Sequence, residues 1–148
     1  MPLAQRASSS DAASMENRAN TTLVVVESPT KAKKVQKFLT KPDEEEDERS
    51  LALLESLGKV EVLASYGHVR DLEGKPGAVD PDKHFALRWS VSSRARPRLD
   101  AIKQAAQRCE RVLLATDPDR EGEGIAWHLQ QELEACPSLR GRAGKPSI

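Results

Sequence analysis

The residues best suited to chemistry stand together in Asp117-Pro118-Asp119-Arg120-Glu121-Gly122-Glu123, which follows the apolar run Val112-Leu113-Leu114-Ala115 and precedes Ile125, Leu129 and Leu133 at helical spacing. The pattern predicts a strand, an acidic turn and a helix. If the backbone stays extended through Pro118, Asp117 and Asp119 leave on the same face, because side chains two apart on a strand share a side. Two carboxylates held that close repel each other and call for a counter-charge. Magnesium suits such an open acidic rim, since it takes one or two carboxylates and fills its other positions with water and phosphate oxygens. A solvated acidic turn is the plain alternative, and for an isolated Asp-Pro-Asp it is the commoner one. A calcium loop of the EF-hand type fails at its twelfth position, where His128 stands in place of a bidentate glutamate. A dinucleotide fingerprint fails as well, because Gly122-Glu123-Gly124 lacks the third glycine.

Two further stretches repeat the theme of a strand ending in charge. Leu23-Val24-Val25-Val26 runs into Glu27. Ser28 suits a helix N-cap and Pro29 the first helical position, so a helix is predicted to start directly after Glu27. Lys31 then falls in the first turn, where the macrodipole disfavours a cation and favours an anionic ligand such as phosphate. A lysine pointing into solvent is equally consistent with that position. In the third stretch, Val60 to Leu72, a strand breaks at Gly67 and is followed by His68 and Arg70. A half-buried imidazole is the ordinary use of such a histidine, and Asp71 offers Arg70 a simple partner.

Taken together, Val26-Glu27-Ser28-Pro29-Thr30-Lys31-Ala32-Lys33, Gly67-His68-Val69-Arg70-Asp71-Leu72 and Asp117 to Leu129 resemble the Toprim domain that opens type IA DNA topoisomerases. Three long motifs in the right order carry the likeness, which runs from about Thr21 to about Leu133. Gly124 departs from the alanine expected there. The resemblance implies Glu27 as a general acid or base on the sugar hydroxyl of the cleaved strand, and magnesium held by Asp117, Asp119 and Glu121 with Glu27 beside them. It also implies Asp119 nearest the reacting phosphate, Lys31 stabilising developing negative charge, and His68, Arg70 and Arg120 contacting DNA. Positioned cations and preorganised donors are what phosphoryl transfer requires. The family cleaves a single-stranded region of negatively supercoiled DNA through a phosphotyrosine link, without ATP. Tyr66 is the sole tyrosine here and does not match that nucleophile's context. The chain alone is therefore expected neither to cleave nor to relax DNA. A Toprim nuclease or primase, and a non-catalytic module that binds magnesium or DNA, are the alternative readings.

The elements that must position these residues follow from periodicity. A helix over Pro29 to about Leu39, a helical turn from Leu51 to Leu57 ending at Gly58, and a helix through Leu99, Ile102, Ala106 and Cys109 alternate with the three strands. The expected class is α/β, a Toprim-like parallel sheet flanked by helices with right-handed crossovers. Asp71 to Ser90, with Gly74, Pro76, Gly77 and Pro81, is expected to be an irregular excursion in which Phe85, Leu87 and Trp89 form a short strand or pack a loop. Trp127 is expected to be a packing residue. No apolar run follows Cys136, so the family's last strand is expected to be missing and the sheet edge unpaired.

The domain reading is a disordered leader over 1–20, the Toprim domain over 21–136 with an acidic loop or insertion at 41–50, and a disordered or truncated tail over 137–148. A chain of 148 residues allows one modest domain. Its 23 basic and 23 acidic residues cancel, so no overall field advertises nucleic acid, although Arg94, Arg96 and Arg98 form a local basic stretch that could meet a DNA backbone. Cys109 and Cys136 have no zinc or disulfide spacing. With no secretory or membrane-spanning segment, an intracellular location is expected, with cytoplasm or nucleoid, an organelle and the nucleus all open.

Overall fold

The structure, a computed structural model, describes residues 20–41 and 48–144. Strand β1 (Thr21–Val26) is its axis: residues 22–26 are all buried, as a central strand covered on both faces must be. Strand β2 (Lys59–Ala64) pairs with β1 in parallel from Thr21↔Lys59 to Val26↔Ala64. On the other side β7 (Arg111–Leu114) pairs in parallel from Thr22↔Arg111 to Val25↔Leu114. Helices α1 (Pro29–Thr40), α2 (Glu48–Leu57), α3 (Arg96–Arg108) and α4 (Arg120–Glu134) supply the crossovers and cover the sheet.

Leu23 and Val25 of β1 join Val112 and Leu114 of β7 in one apolar cluster with Leu99, Ile102 and Ala106 of α3 and Ile125, Leu129 and Leu133 of α4. The two-residue strand period sends Val24 and Val26, also buried, to the opposite face. Thr22 is the one polar residue among those buried in β1, and its hydroxyl donates to the Leu57 carbonyl at 2.7 Å.

Between β2 and α3 the chain makes two nested antiparallel pairs, β3 (Arg70–Leu72) with β6 (Trp89–Val91) and β4 (Val79–Asp80) with β5 (Ala86–Leu87). The expected irregular excursion is thus a hairpin built from strands too short to show a period. Phe85 and Leu87 stand out from it, 68% and 47% exposed.

Two expectations are corrected. The sheet does not end bare at β7: a two-residue strand β8 (Ala143–Gly144) pairs with it in parallel, Val112↔Ala143, giving the order β2-β1-β7-β8. Residues 137–144 are not a loose tail either, since a 3₁₀ turn at Pro137–Leu139 places Leu139, 1% exposed, in the core. The acidic segment expected over 41–50 yields Glu48 to Ser50 to α2, while 42–47, the leader over 1–19 and residues 145–148 lie outside the described residues. Among the described residues no helix is long and apolar enough to cross a membrane.

Candidate active site

The parallel register places the carboxyl ends of β1 and β7 side by side, and both chains turn into helices there. Open α/β sheets build sites at such ends. Glu27 follows β1, and one of its oxygens accepts a hydrogen bond from the Asp117 backbone N–H beyond β7. Its other oxygen lies 3.4 Å from Lys31 Nζ. The same ammonium donates to Asp117 Oδ1, so one lysine bridges carboxylates from two strands. Ser28 caps α1 as expected, its Oγ accepting from Lys31 N at 3.2 Å, which sets Lys31 in the first turn. The hydrogen bond to Asp117 raises the Lys31 pKa above its ordinary value, and reciprocally lowers that of the Asp117 carboxyl.

Asp117 and Asp119 do not act as a matched pair. Asp117 reaches Lys31, whereas Asp119 is the N-cap of α4, with Oδ1 accepting from Gly122 N at 2.7 Å. The extended path through Pro118 is interrupted because the helix begins at Arg120 and its free N–H groups need an acceptor. Gly122 is required for the close approach of this turn: a Cβ on it would lie 2.0 Å from the Asp117 carbonyl oxygen. Glu121 turns to His68, with 3.2 Å between Oε1 and Nε2, and both side chains are exposed. A cleft of about 420 Å³ is lined by Glu27, Asp117, Asp119, Glu121 and Gly122 together with Tyr66 and Gly67. Arg120 is exposed at the opening of α4. Among the described residues no three carboxylate, histidine or cysteine side chains converge into a metal cage.

Arg70 is not in this cleft group, and its expected partner Asp71 does not hold it. Its guanidinium lies within the hairpin and α4: Nε donates to His128 Nδ1 at 3.0 Å, Nη1 stands 3.6 Å from Glu132 Oε1, and the group rests 5.4 Å above the Trp127 ring. Glu132 also takes Lys103 Nζ at 3.0 Å. His128 is buried between Trp89 and Trp127, with centroid distances of 4.5 and 4.9 Å. Burial first, and the Arg70 charge second, hold its pKa below the ordinary histidine value. Trp127 does pack, against Arg70 and Trp89, but with 46% of its surface exposed it belongs to no closed core.

Sequence reasoning missed two features of the cleft. The helix-capping role of Asp119 had a readable signal, an aspartate directly before a helix-period run. Tyr66 had none, because its place on the rim depends on how the loop after β2 turns.

Comparison with known proteins identifies the family. Residues 22–145 match the Toprim domain family. A DNA topoisomerase 1 from Rickettsia typhi is 45% identical over 112 residues, which make up 76% of this chain and 12% of that protein. One from Xylella fastidiosa is 44% identical over 120 residues, 81% of this chain and 13% of that one. The solved full-length topoisomerase I of Thermotoga maritima superposes with a TM-score of 0.56 at 32% identity, over 74% of this chain and 16% of its own. The chain thus spans about one eighth of the length of the curated relatives it matches. With four parallel strands in one sheet, flanking helices and all three motifs inside the matched segment, the chain belongs to the Toprim family, in the form that DNA topoisomerase 1 proteins carry.

Proposed function

We propose that this chain supplies the Toprim half of an ATP-independent type IA DNA topoisomerase site, in which single-strand cleavage and religation are carried out by a tyrosine outside these residues. The observation that carries the reading is the open bridge Glu27–Lys31–Asp117, in which carboxylates from two adjacent strand ends share one lysine at the mouth of a cleft. A scissile phosphate with its sugar hydroxyl needs a proton carrier, a cation and room to enter: Glu27 lines the cleft and Lys31 stands against Glu27 and Asp117.

The donor set fits magnesium in kind. Glu27 and Asp117 are hard oxygen ligands that already hold one cation, the Lys31 ammonium, between them. Glu27, Asp117 and Asp119 would hold the ion, with Glu121 released from His68 to join them. Bound there, magnesium would neutralise charge on the reacting phosphate and orient it. Glu27 carries the proton to or from the sugar hydroxyl. Lys31, displaced from the carboxylates, turns to the phosphate, where the first turn of α1 also favours an anion. His68 and Arg120, both exposed, face the DNA backbone, while Arg70 serves at one remove by fixing the hairpin that starts two residues after His68. Tyr66 is not taken as the nucleophile, because its place beside the Gly67-His68 motif does not match the context of the family's nucleophilic tyrosine.

Grafting tests the reading. Residues 21–144, exchanged for the matching segment of a DNA topoisomerase 1, are expected to support magnesium-dependent relaxation of negatively supercoiled plasmid. A folded graft that stays inactive at every magnesium concentration would count against it, as would plasmid relaxation by the 148-residue chain alone.

A further inference from the structure

Tyr66 combines three properties. Its backbone is left-handed, φ +61°, a conformation that bulky side chains rarely adopt. Strain of this kind persists only where surrounding structure enforces it, and it concentrates at ligand sites. The enforcement is visible: Ser65 N donates to the Val26 carbonyl at 2.8 Å, Gly67 N donates to the Glu27 carbonyl at 3.1 Å, and Ser65 Oγ donates to the Gly67 carbonyl at 3.2 Å. The loop is thereby tied to the backbone of the catalytic strand end, and the ring is held on the rim of the carboxylate cleft with 49% of its surface exposed. Finally, the Arg98 guanidinium lies 3.6 Å from the ring centroid. Arg98 stands in the first turn of α3, which carries no acidic residue and where the macrodipole disfavours a cation. The ring stabilises that cation, and an anionic strand would do so further.

We propose that Tyr66 and Arg98 form a nucleotide subsite at the edge of the cleft, in which the phenol ring stacks on a base of the single-stranded substrate and Arg98 meets the adjoining phosphate. This rests on the DNA reading above and extends it to a residue pair that the three motifs do not include. An aromatic face beside a cation is the usual platform for a single strand, tolerant of sequence because every base has a π-face.

The test is fluorescence anisotropy of the full 148-residue chain with a labelled single-stranded 12-mer in magnesium, repeated with abasic residues in the oligonucleotide. Tyr66→Leu is expected to weaken binding about tenfold and Tyr66→Phe to leave it within about twofold, since the ring and not the hydroxyl does the stacking. Tyr66→Asn, whose side chain tolerates the left-handed backbone, is expected to lose as much as Tyr66→Leu, which separates lost stacking from misfolding. On the abasic strand wild type and Tyr66→Leu should bind alike. Arg98→Ala should lower the slope of log affinity against log salt by about 0.7, one phosphate contact. Wild-type binding unchanged by Tyr66→Leu and Tyr66→Asn, or a loss that persists undiminished on the abasic strand, overturns the subsite alone. A wild-type chain that binds no single strand at low salt overturns the subsite and the DNA reading together.

Discussion

The molecule holds two charge networks, each built on a lysine and a glutamate, that are put to opposite uses. At the strand ends, Glu27, Lys31 and Asp117 meet at an open cleft, where Glu27 is 16% exposed but the shared Lys31 and its second partner Asp117 are 33% and 53% exposed. Under the hairpin, Arg70, Lys103, Glu132 and His128 meet with their ionic side chains only 13% to 24% exposed and ringed by Trp89 and Trp127. In the second network two cations share the Glu132 carboxylate under the indole rings and water is largely excluded, so its interactions hold structure. In the first, two carboxylates share one ammonium that water can reach, so exchange of that cation is cheap. Access of water to the shared ion and to one of its partners, rather than the presence of charge, separates scaffold from site.

That contrast can be broken from either side. The largest effect is expected at the open network: Glu27→Gln in the grafted enzyme should lower relaxation by about 10²- to 10⁴-fold, the usual range for a lost proton carrier, while the graft stays folded because the amide oxygen can still accept from the Asp117 N–H. Glu132→Ala should do the reverse. It leaves Arg70 and Lys103 without their carboxylate, and should cost about 3 kcal/mol in denaturant unfolding while magnesium affinity moves by less than about twofold. Gly122→Ala strikes the contact between α4 and the Asp117 carbonyl and should cost about 2 kcal/mol, with magnesium affinity falling as well because Asp117 must shift.

The smallest effect concerns pH. The folded pKa of His128 is depressed, so the unfolded chain takes up the proton first. The stability this histidine allows is therefore complete above its ordinary value of 6.5 and is lost as pH falls through the lower folded value. Protonation of Nδ1 would also remove the acceptor that Arg70 uses. Melting curves between about pH 7.5 and about pH 5, spanning the histidine range, should show this slope for wild type and a shallower one for His128→Gln.

What could be read in the sequence was local. A β-branched run, a serine that can cap and a proline at the next position are contiguous, so β1, Glu27 and the start of α1 follow from one stretch. The strand, acidic turn and helix from Val112 to Leu133 follow in the same way. What could not be read depended on distant partners. Arg70 meets His128 and Glu132 because the hairpin lies against α4, and nothing near Arg70 in the chain favours them over Asp71. Two-residue strands such as β8 are shorter than any period, so Ala143 and Gly144 gave no warning that they would close the edge beside β7. Leu139 likewise stands alone in a polar stretch and is buried by the turn that Pro137 starts.

The most direct measurement of the central claim, that the open bridge is a cation site held by a lysine, is calorimetric titration of magnesium into the 148-residue chain and its Lys31→Met variant. Removing one positive charge beside two carboxylates should tighten magnesium binding by about tenfold, and adding Asp117→Asn to that variant should reverse the gain. If Lys31→Met leaves magnesium affinity unchanged or weaker, the lysine is no stand-in for the metal and the cleft does not hold magnesium between Glu27 and Asp117.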